Sequence, residues 1–94
     1  MEEKLNMIPV KSNIRIKKKD DDYVIFNLET SGFHRITSDV NEILEKLDEK
    51  MTIKELADYF AQKRDLELDK FQEELLSFFN ELEIRKIIKF EKAS

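Results

Sequence analysis

The stretch DKFQEELLSFFNELEIRKII, residues 69–88, predicts the longest amphipathic helix of the chain. Its apolar residues recur at the spacing that lines up one face of an α-helix, namely Phe71, Leu75, Phe78, Phe79 and Leu82. Asp69 is a good N-cap residue, and Gln72 stands three residues later, so the start of the helix resembles a capping box.

The apolar face of this helix is wider than contact with a core requires. If the line from Phe71 through Phe78 to Leu82 points into the core, Phe79 and Leu76 lie about 60° and 120° to one side of it. A helix that only covers a core has no use for Leu76 in that position. We therefore expect this flank to be covered by another element or by a partner from outside the chain.

The composition is that of one small globular domain. The chain has 94 residues, of which 40% are charged and 40% apolar, with seven Phe and no Trp, so we expect an aromatic-rich core. The absence of Cys excludes disulfides and thiolate metal sites, and it favours a reducing cytoplasm. The first residues, MEEKLN, have no signal-peptide pattern, and no window is apolar enough to span a membrane.

Three short β-strands are predicted in the first half of the chain, at residues 13–16, 23–28 and 33–36. The charged block at 17–22 is predicted to be a hairpin tip. Gly32, the only glycine, is predicted to take a positive φ in the second turn. Because the third strand comes last in this small antiparallel sheet, we expect one of its edges to be unpaired.

Three helices follow in the second half. N-cap candidates at 37–39 precede a helix that reaches about Asp48, and the capping box of Thr52 and Glu55 opens the next. The long helix comes third, and residues 87–90 are a candidate for a short final strand. The predicted fold class is therefore α+β, winged helix-turn-helix-like, with a three-stranded antiparallel sheet followed by three α-helices.

The sequence contains few candidates for catalysis. His34 is the only histidine, and without Cys or a second His a transition-metal site is not expected. A single glycine cannot make a phosphate-binding loop, and no serine has a recognisable base beside it in sequence. We expect a protein that is not an enzyme and has no cofactor and no metal.

Three stretches resemble sequence patterns of the PqqD family of peptide chaperones. FHRITSDVNEIL (33–44) resembles a strand that leads into an apolar helix, and MTIKEL (51–56) is similar to the start of the next helix. FFNEL (78–82), followed by the Ile pair at 87–88, is similar to the end of the family pattern. The positions that carry the first resemblance are Ile36, Thr37, Val40 and Ile43.

The resemblance covers most of the chain, from Val10 to Phe90. Two positions depart from the family pattern, since Lys86 stands where glycine is frequent and Thr37 where asparagine is common. On this basis we expect residues 1–9 to be a flexible segment, residues 10–90 to be a PqqD-like peptide-binding domain, and residues 91–94 to be a tail.

The resemblance implies a RiPP recognition element, which binds the leader of a ribosomally made precursor peptide. The leader adds as a strand to the third strand, in the groove beside the third helix, and is presented to a modifying enzyme, commonly a radical SAM protein. The residues expected to supply backbone contacts are Gly32, Phe33, His34, Arg35 and Ile36. The residues expected to shape the pocket wall are Gln72, Leu76, Phe79 and Asn80.

Several alternatives remain open from the residues alone. Arg35 is a candidate partner for an acidic leader residue, whereas Leu76 and Phe79 taken singly also fit plain core packing. The exposed third strand could pair with a second copy in a homodimer. The alternative function is a winged-helix DNA-binding regulator. The net charge of −4 and the excess of acidic residues on the third helix argue against a nucleic-acid partner.

Overall fold

The computed structural model describes residues 2–93 and contains two antiparallel sheets and four α-helices. The α-helices are α1 (Glu2–Leu5), α2 (Ser38–Lys46), α3 (Ile53–Arg64) and α4 (Leu68–Ile84). The strands are β1 (Met7–Lys11), β2 (Ile14–Lys19), β3 (Asp22–Asn27), β4 (Phe33–Ile36) and β5 (Ile88–Lys92). A 3₁₀-helix, Leu47–Glu49, extends α2.

The larger sheet has the strand order β2-β3-β4, with both pairs antiparallel. Ile25 at its centre lies opposite Ile16 on one side and His34 on the other. The predicted three-stranded meander is therefore confirmed. The lysines at 17–19 belong to β2, so the hairpin tip is shorter than predicted and consists of Asp20 and Asp21, with Asp20 at φ 58°.

Asn27 organises the turn that leads into β4. Its Oδ1 accepts hydrogen bonds from the backbone N–H groups of Glu29 at 2.9 Å and Thr30 at 3.2 Å, which is an Asx-type turn. The positive φ of this turn falls on Ser31, at 61°, and not on Gly32. The prediction of a positive φ at Gly32 was therefore wrong. The side chain of Asn27 stabilises this turn, and the positive φ falls on Ser31.

The smaller sheet joins the two ends of the chain. β1 pairs with β5 from Met7 opposite Lys92 to Lys11 opposite Ile88, and Pro9 is buried. The sequence led us to expect flexibility through residue 9 and a tail from residue 91. In the structure residues 7–9 and 91–92 instead belong to paired strands, because each end supplies the other's hydrogen-bond partners. The final strand runs from 88 to 92.

The helix caps decide where the helices begin and end. Thr37 caps α2, and Thr52 with Glu55 forms the predicted capping box of α3, with hydrogen bonds of 3.1 and 2.9 Å. The cap predicted for the long helix was wrong. α4 begins at Leu68 after Glu67, which makes no side-chain cap, so Asp69 lies within the first turn, where a carboxylate favours the positive end of the helix dipole.

The residues of one core cluster come from the larger sheet, from α2 to α4 and from β5. On α4 the buried residues are Phe71, Leu75, Phe79 and Leu82, whereas Phe78 is only partly buried. Of the two roles that the sequence left open for Phe79, core packing and a pocket wall, its complete burial fits core packing. Leu68, on the Phe79 side of α4, lines a depression together with Ala61 of α3. Because α3 packs along this side, the buried sector of α4 extends to Phe79.

Candidate functional site

β4 forms one border of the larger sheet, with β3 as its only strand partner in the part of the chain that the structure describes. The backbone N–H of Asn27 donates to the carbonyl of Gly32 at 2.8 Å. Antiparallel pairs alternate from there, so His34 and Ile36 exchange hydrogen bonds with β3. Phe33 and Arg35 then direct their N–H and C=O groups away from β3. We call these open backbone groups of Phe33 and Arg35 the β4 edge.

Side chains of β4 alternate between the two faces of the sheet. His34 and Ile36 are half-buried on the helix side, and Phe33 and Arg35 are exposed on the other side, which we call the outer face. Phe33 is 69% exposed although it meets Phe26 of β3, with 6.1 Å between ring centroids. The β4 edge is therefore bordered by a partly apolar helix side and by an aromatic residue on the outer face.

The predicted wall residues of α4 range from buried to half-buried. Phe79 is 0% exposed, and Gln72, Leu76 and Asn80 are half-buried. By helical geometry these residues share a side of α4 with Glu83. The Glu83 carboxylate accepts a hydrogen bond from Lys4 Nζ at 3.3 Å, and the helix that contains Lys4, α1, packs on α3. The C-terminal part of this side of α4 is therefore in contact with α1.

Asn80 has an unusual environment on that side. Its Oδ1 is buried and accepts no hydrogen bond from the residues that the structure describes. An unsatisfied buried acceptor costs about 1–3 kcal/mol. This side of α4 thus contains a buried acceptor, Asn80 Oδ1, without a hydrogen-bond donor among the described residues.

The opposite side of α4 carries Phe78, which sequence reasoning had assigned to the core. Phe78 is half-buried, and Glu74 and Glu81 lie on the same side and are exposed. The C-terminal end of α4 is held to the larger sheet by Asn27, whose Nδ2 donates to the carbonyls of Arg85 at 3.3 Å and Lys86 at 3.1 Å. The adjacent aromatics at 78 and 79 were the available signal, because consecutive helical residues cannot both centre on one face.

The ionisable groups with shifted pKa values belong to α2 and α3. Hydrogen bonds from Lys63 and Arg64 hold the pKa of the Glu42 carboxyl below its usual value, and the same contact with Glu42 raises the pKa of Lys63. Arg64 Nη2 is 2.9 Å from Glu42 Oε1. These contacts join α2 to α3, and because Glu42 and Lys63 are solvent-accessible they are surface ion pairs of modest strength.

The described residues contain no cluster of three or more His, Cys, Asp or Glu side chains that could hold a metal ion. No helix between residues 2 and 93 has the length and apolarity needed to cross a bilayer. The half-buried His34 makes no side-chain hydrogen bond in this part of the chain. The most distinctive feature of the described surface is therefore the β4 edge with its two flanking faces.

The family model for coenzyme PQQ synthesis protein D (PqqD) matches residues 22–88. The chain belongs to the PqqD family. The match begins with β3 and ends at the first residue of β5, so it includes β4 and all of α4. Lys86, where the resemblance led us to expect glycine, has a φ of 61°, a conformation that glycine adopts without strain. No curated protein sequence matches the chain.

A solved structure described as "TbiB1 in Complex with the TbiA(beta) Leader Peptide" is similar to this PqqD-family chain. The TM-score is 0.74 at 16% sequence identity, and the alignment covers 90% of this chain and 98% of that chain. The predicted fold class, a three-stranded antiparallel sheet followed by three helices, is confirmed. The structure adds α1 and the β1–β5 sheet to it.

Proposed function

We propose that this PqqD-family protein binds the leader region of a ribosomally synthesised precursor peptide and presents the peptide to a modifying enzyme. The observation that carries the proposal is the β4 edge, where Phe33 and Arg35 direct backbone groups away from their own sheet. Membership of the PqqD family supports it. So does the shared fold of TbiB1, a protein described in complex with a leader peptide.

The binding mode that we propose is β-strand addition. A leader strand beside β4 would receive hydrogen bonds from the N–H groups of Phe33 and Arg35 and donate to their carbonyls. Each such bond contributes about 0.5–1.5 kcal/mol net, so the backbone alone gives modest affinity. The side chains of the leader then supply sequence choice, because alternate residues point to the helix side and to the outer face.

We propose a revised wall for the helix side of this groove. Leu76 and Asn80, the residues first expected there, share a side of α4 with Glu83, which contacts Lys4 of α1. Phe78 is instead the apolar side chain that α4 offers on its other side, with Glu74 and Glu81 next to it. Apolar leader residues would pack against Phe78 and Ile36, and basic leader residues would be favoured near the two carboxylates.

The partner that we propose is a peptide-modifying enzyme. A radical SAM maturase is the partner that the family resemblance suggests, and the chain itself acts as a binding module without catalysis. A cytoplasmic setting suits a chain that has no Cys. The β4 edge could also pair two copies of the chain, and a leader peptide would compete with that homodimer for the same hydrogen bonds.

The charges of α4 do not favour DNA binding. Within α4, Lys70 is the one cation among the carboxylates of Asp69, Glu73, Glu74, Glu81 and Glu83. Such a helix would be repelled by the phosphates of a duplex.

The test uses the precursor peptide encoded beside the gene and compares Arg35→Pro with Arg35→Ala. Both variants lose the guanidinium, but only proline also removes the N–H of the β4 edge and places a ring there. Fluorescence anisotropy should give an affinity about tenfold lower for the proline variant than for the alanine variant.

Thermal unfolding of both variants serves as the control. Proline is tolerated on the free side of a border strand, so we expect the two to melt within a few degrees of each other. Equal affinities of the two folded variants for the leader would contradict strand addition at β4.

A further inference from the structure

The outer face of the larger sheet is organised in cross-strand rows. One row runs from Arg15 through Phe26 to Phe33, and a second runs from Lys17 through Val24 to Arg35. Phe26 is 41% exposed and Phe33 is 69% exposed, and both line a surface depression together with Val24, Arg35 and the lysines at 17–19. Each row ends at β4, and an added strand would lie beside that end.

A strand added at β4 would extend both rows by one residue. In the first row the new residue would meet the exposed ring of Phe33, and in the second it would meet the guanidinium of Arg35. Because side chains on one face of a strand are two residues apart, the two new residues would be separated by a single residue. Directly opposed cross-strand pairs contribute roughly 0.2–1 kcal/mol when aromatic or oppositely charged.

We propose that the peptide bound at β4 carries an acidic residue opposite Arg35 and an apolar residue, best an aromatic one, opposite Phe33. This inference rests on the proposed function and names the class of peptide that the site takes. An acid-x-apolar order corresponds to an antiparallel leader, and an apolar-x-acid order corresponds to a parallel one.

The charges of the sheet support this assignment. The cations of the outer face, at Arg15, Lys17, Lys19 and Arg35, exceed its one strand carboxylate, Asp22, although the whole chain has a net charge of −4. The other side of an added strand would face α4, where Glu74 and Glu81 are exposed. Acidic peptide residues are thus attracted to the outer face and repelled from the helix side.

This difference in charge also sets the register of the peptide. A slip by one residue would exchange the two faces and bring the acidic residue toward the carboxylates of α4.

Arg35 is free to accept a second carboxylate. Its Nε lies 3.6 Å from Asp22 Oδ2, and the two side chains are 64% and 43% exposed. Exposed pairs of this kind contribute about 0–1 kcal/mol and rearrange readily. The guanidinium also has five N–H donors, so contact with Asp22 leaves donors available for a peptide carboxylate.

The test selects peptides from a phage-displayed library of random dodecamers on the immobilised full chain. The wild-type chain should enrich an acidic and an apolar residue separated by one position. The strongest peptide is then synthesised, and its affinity is measured against three proteins: wild type, Arg35→Glu and Lys17→Glu. Lys17 is the matched control, because it carries the same charge on the same row but stands two strands, about 10 Å, from β4.

We expect Arg35→Glu to weaken binding about tenfold and Lys17→Glu to change it by less than about twofold, since solvent screens charges beyond about 8 Å. Replacing the acidic peptide residue with Lys should restore binding to the Arg35→Glu variant. Equal effects of the two protein variants, or no restoration, would overturn the inference while leaving strand addition intact. Failure of the wild-type chain to enrich any peptide would instead contradict the proposed function itself.

Discussion

The two border strands of the larger sheet differ in how they present their open backbone groups. β2 has the sequence IRIKKK, and β4 has the sequence FHRI. By the same alternation that exposes Phe33 and Arg35, the open N–H groups of β2 belong to Ile16 and Lys18, because the N–H of Ile14 donates to the carbonyl of Ser12 at 2.8 Å. Lysine-rich border strands resist pairing with other chains. In this sheet the lysines of β2 therefore disfavour pairing with another chain, whereas β4 remains accessible.

The difference indicates that the accessible border is a functional feature. Within the larger sheet β3 is central and β2 is rich in lysine, so β4 is the border strand that lacks this protection. An exposed border strand without lysines, such as β4, carries a risk of self-association, which natural sheets usually avoid. A binding role for β4 accounts for the exception.

Replacement of Phe79 should have the largest effect, because it tests which side of α4 belongs to the core. We expect Phe79→Ala to lower the free energy of unfolding by about 3–5 kcal/mol, as the loss of a fully buried ring does. Phe78→Ala should cost clearly less, because Phe78 is only half-buried, and should weaken leader binding. The measurements are urea unfolding and leader affinity. Equal losses of stability for the two variants would place Phe78 in the core as well.

Proline substitutions within β4 test the alternation that defines the β4 edge. His34→Pro removes a donor that β3 uses, so we expect a loss of about 3 kcal/mol in the free energy of unfolding. Arg35→Pro removes a donor that no strand of the chain uses, and we expect a loss below about 1 kcal/mol. Urea unfolding of the two variants gives both numbers. If Arg35→Pro were the more damaging change, the hydrogen-bonded and open residues of β4 would be the reverse of those described.

Proline substitutions at both borders test the comparison directly. Arg35→Pro and Lys18→Pro each remove one open N–H and one cation, on β4 and β2 respectively. We expect leader affinity to fall about tenfold or more for the first and by less than about twofold for the second. Titration calorimetry with the same leader peptide gives both values. A larger loss for Lys18→Pro would move the site to β2.

Glycine substitutions at positive φ should have small stabilising effects. Ser31 has φ 61° in the turn that presents β4, and Lys86 has φ 61° in the turn that presents β5. Replacing either with Gly should raise the free energy of unfolding by about 0.5–1 kcal/mol through relief of backbone strain. Gly32→Ala is the control, because Gly32 has no positive φ and an added Cβ would lie 3.3 Å from Thr30 Oγ1. Stabilisation by Gly32→Ala alone would contradict the turn geometry.

The larger sheet and the helices could be predicted from the sequence because their signals are local. Strand alternation at Ile14 and Ile16 and the capping box of Thr52 and Glu55 depend on residues close together in the chain. The smaller sheet could not be predicted, because the pairing of β1 with β5 joins the two ends of the chain and neither strand has a local signal that names its partner.

One part of the candidate site, the β4 edge, could be predicted because its signal is also local. The position of β4 as a border strand follows from its place in the meander. The side of α4 that faces a neighbour depends on how α3 and α1 pack, and one turn of helix presents Phe78 and Phe79 in different directions. Periodicity alone could not choose between these two rings, and it left both core packing and a pocket wall open for Phe79.

Amide hydrogen exchange of the free chain and of the leader complex tests strand addition at β4 residue by residue. In the free chain the amides of Phe33 and Arg35 should exchange rapidly, while those of His34 and Ile36 are protected by β3. On leader binding the amides of Phe33 and Arg35 should become protected, and the open amides of β2 should stay fast. Leader binding that leaves Phe33 and Arg35 in rapid exchange would contradict strand addition at β4.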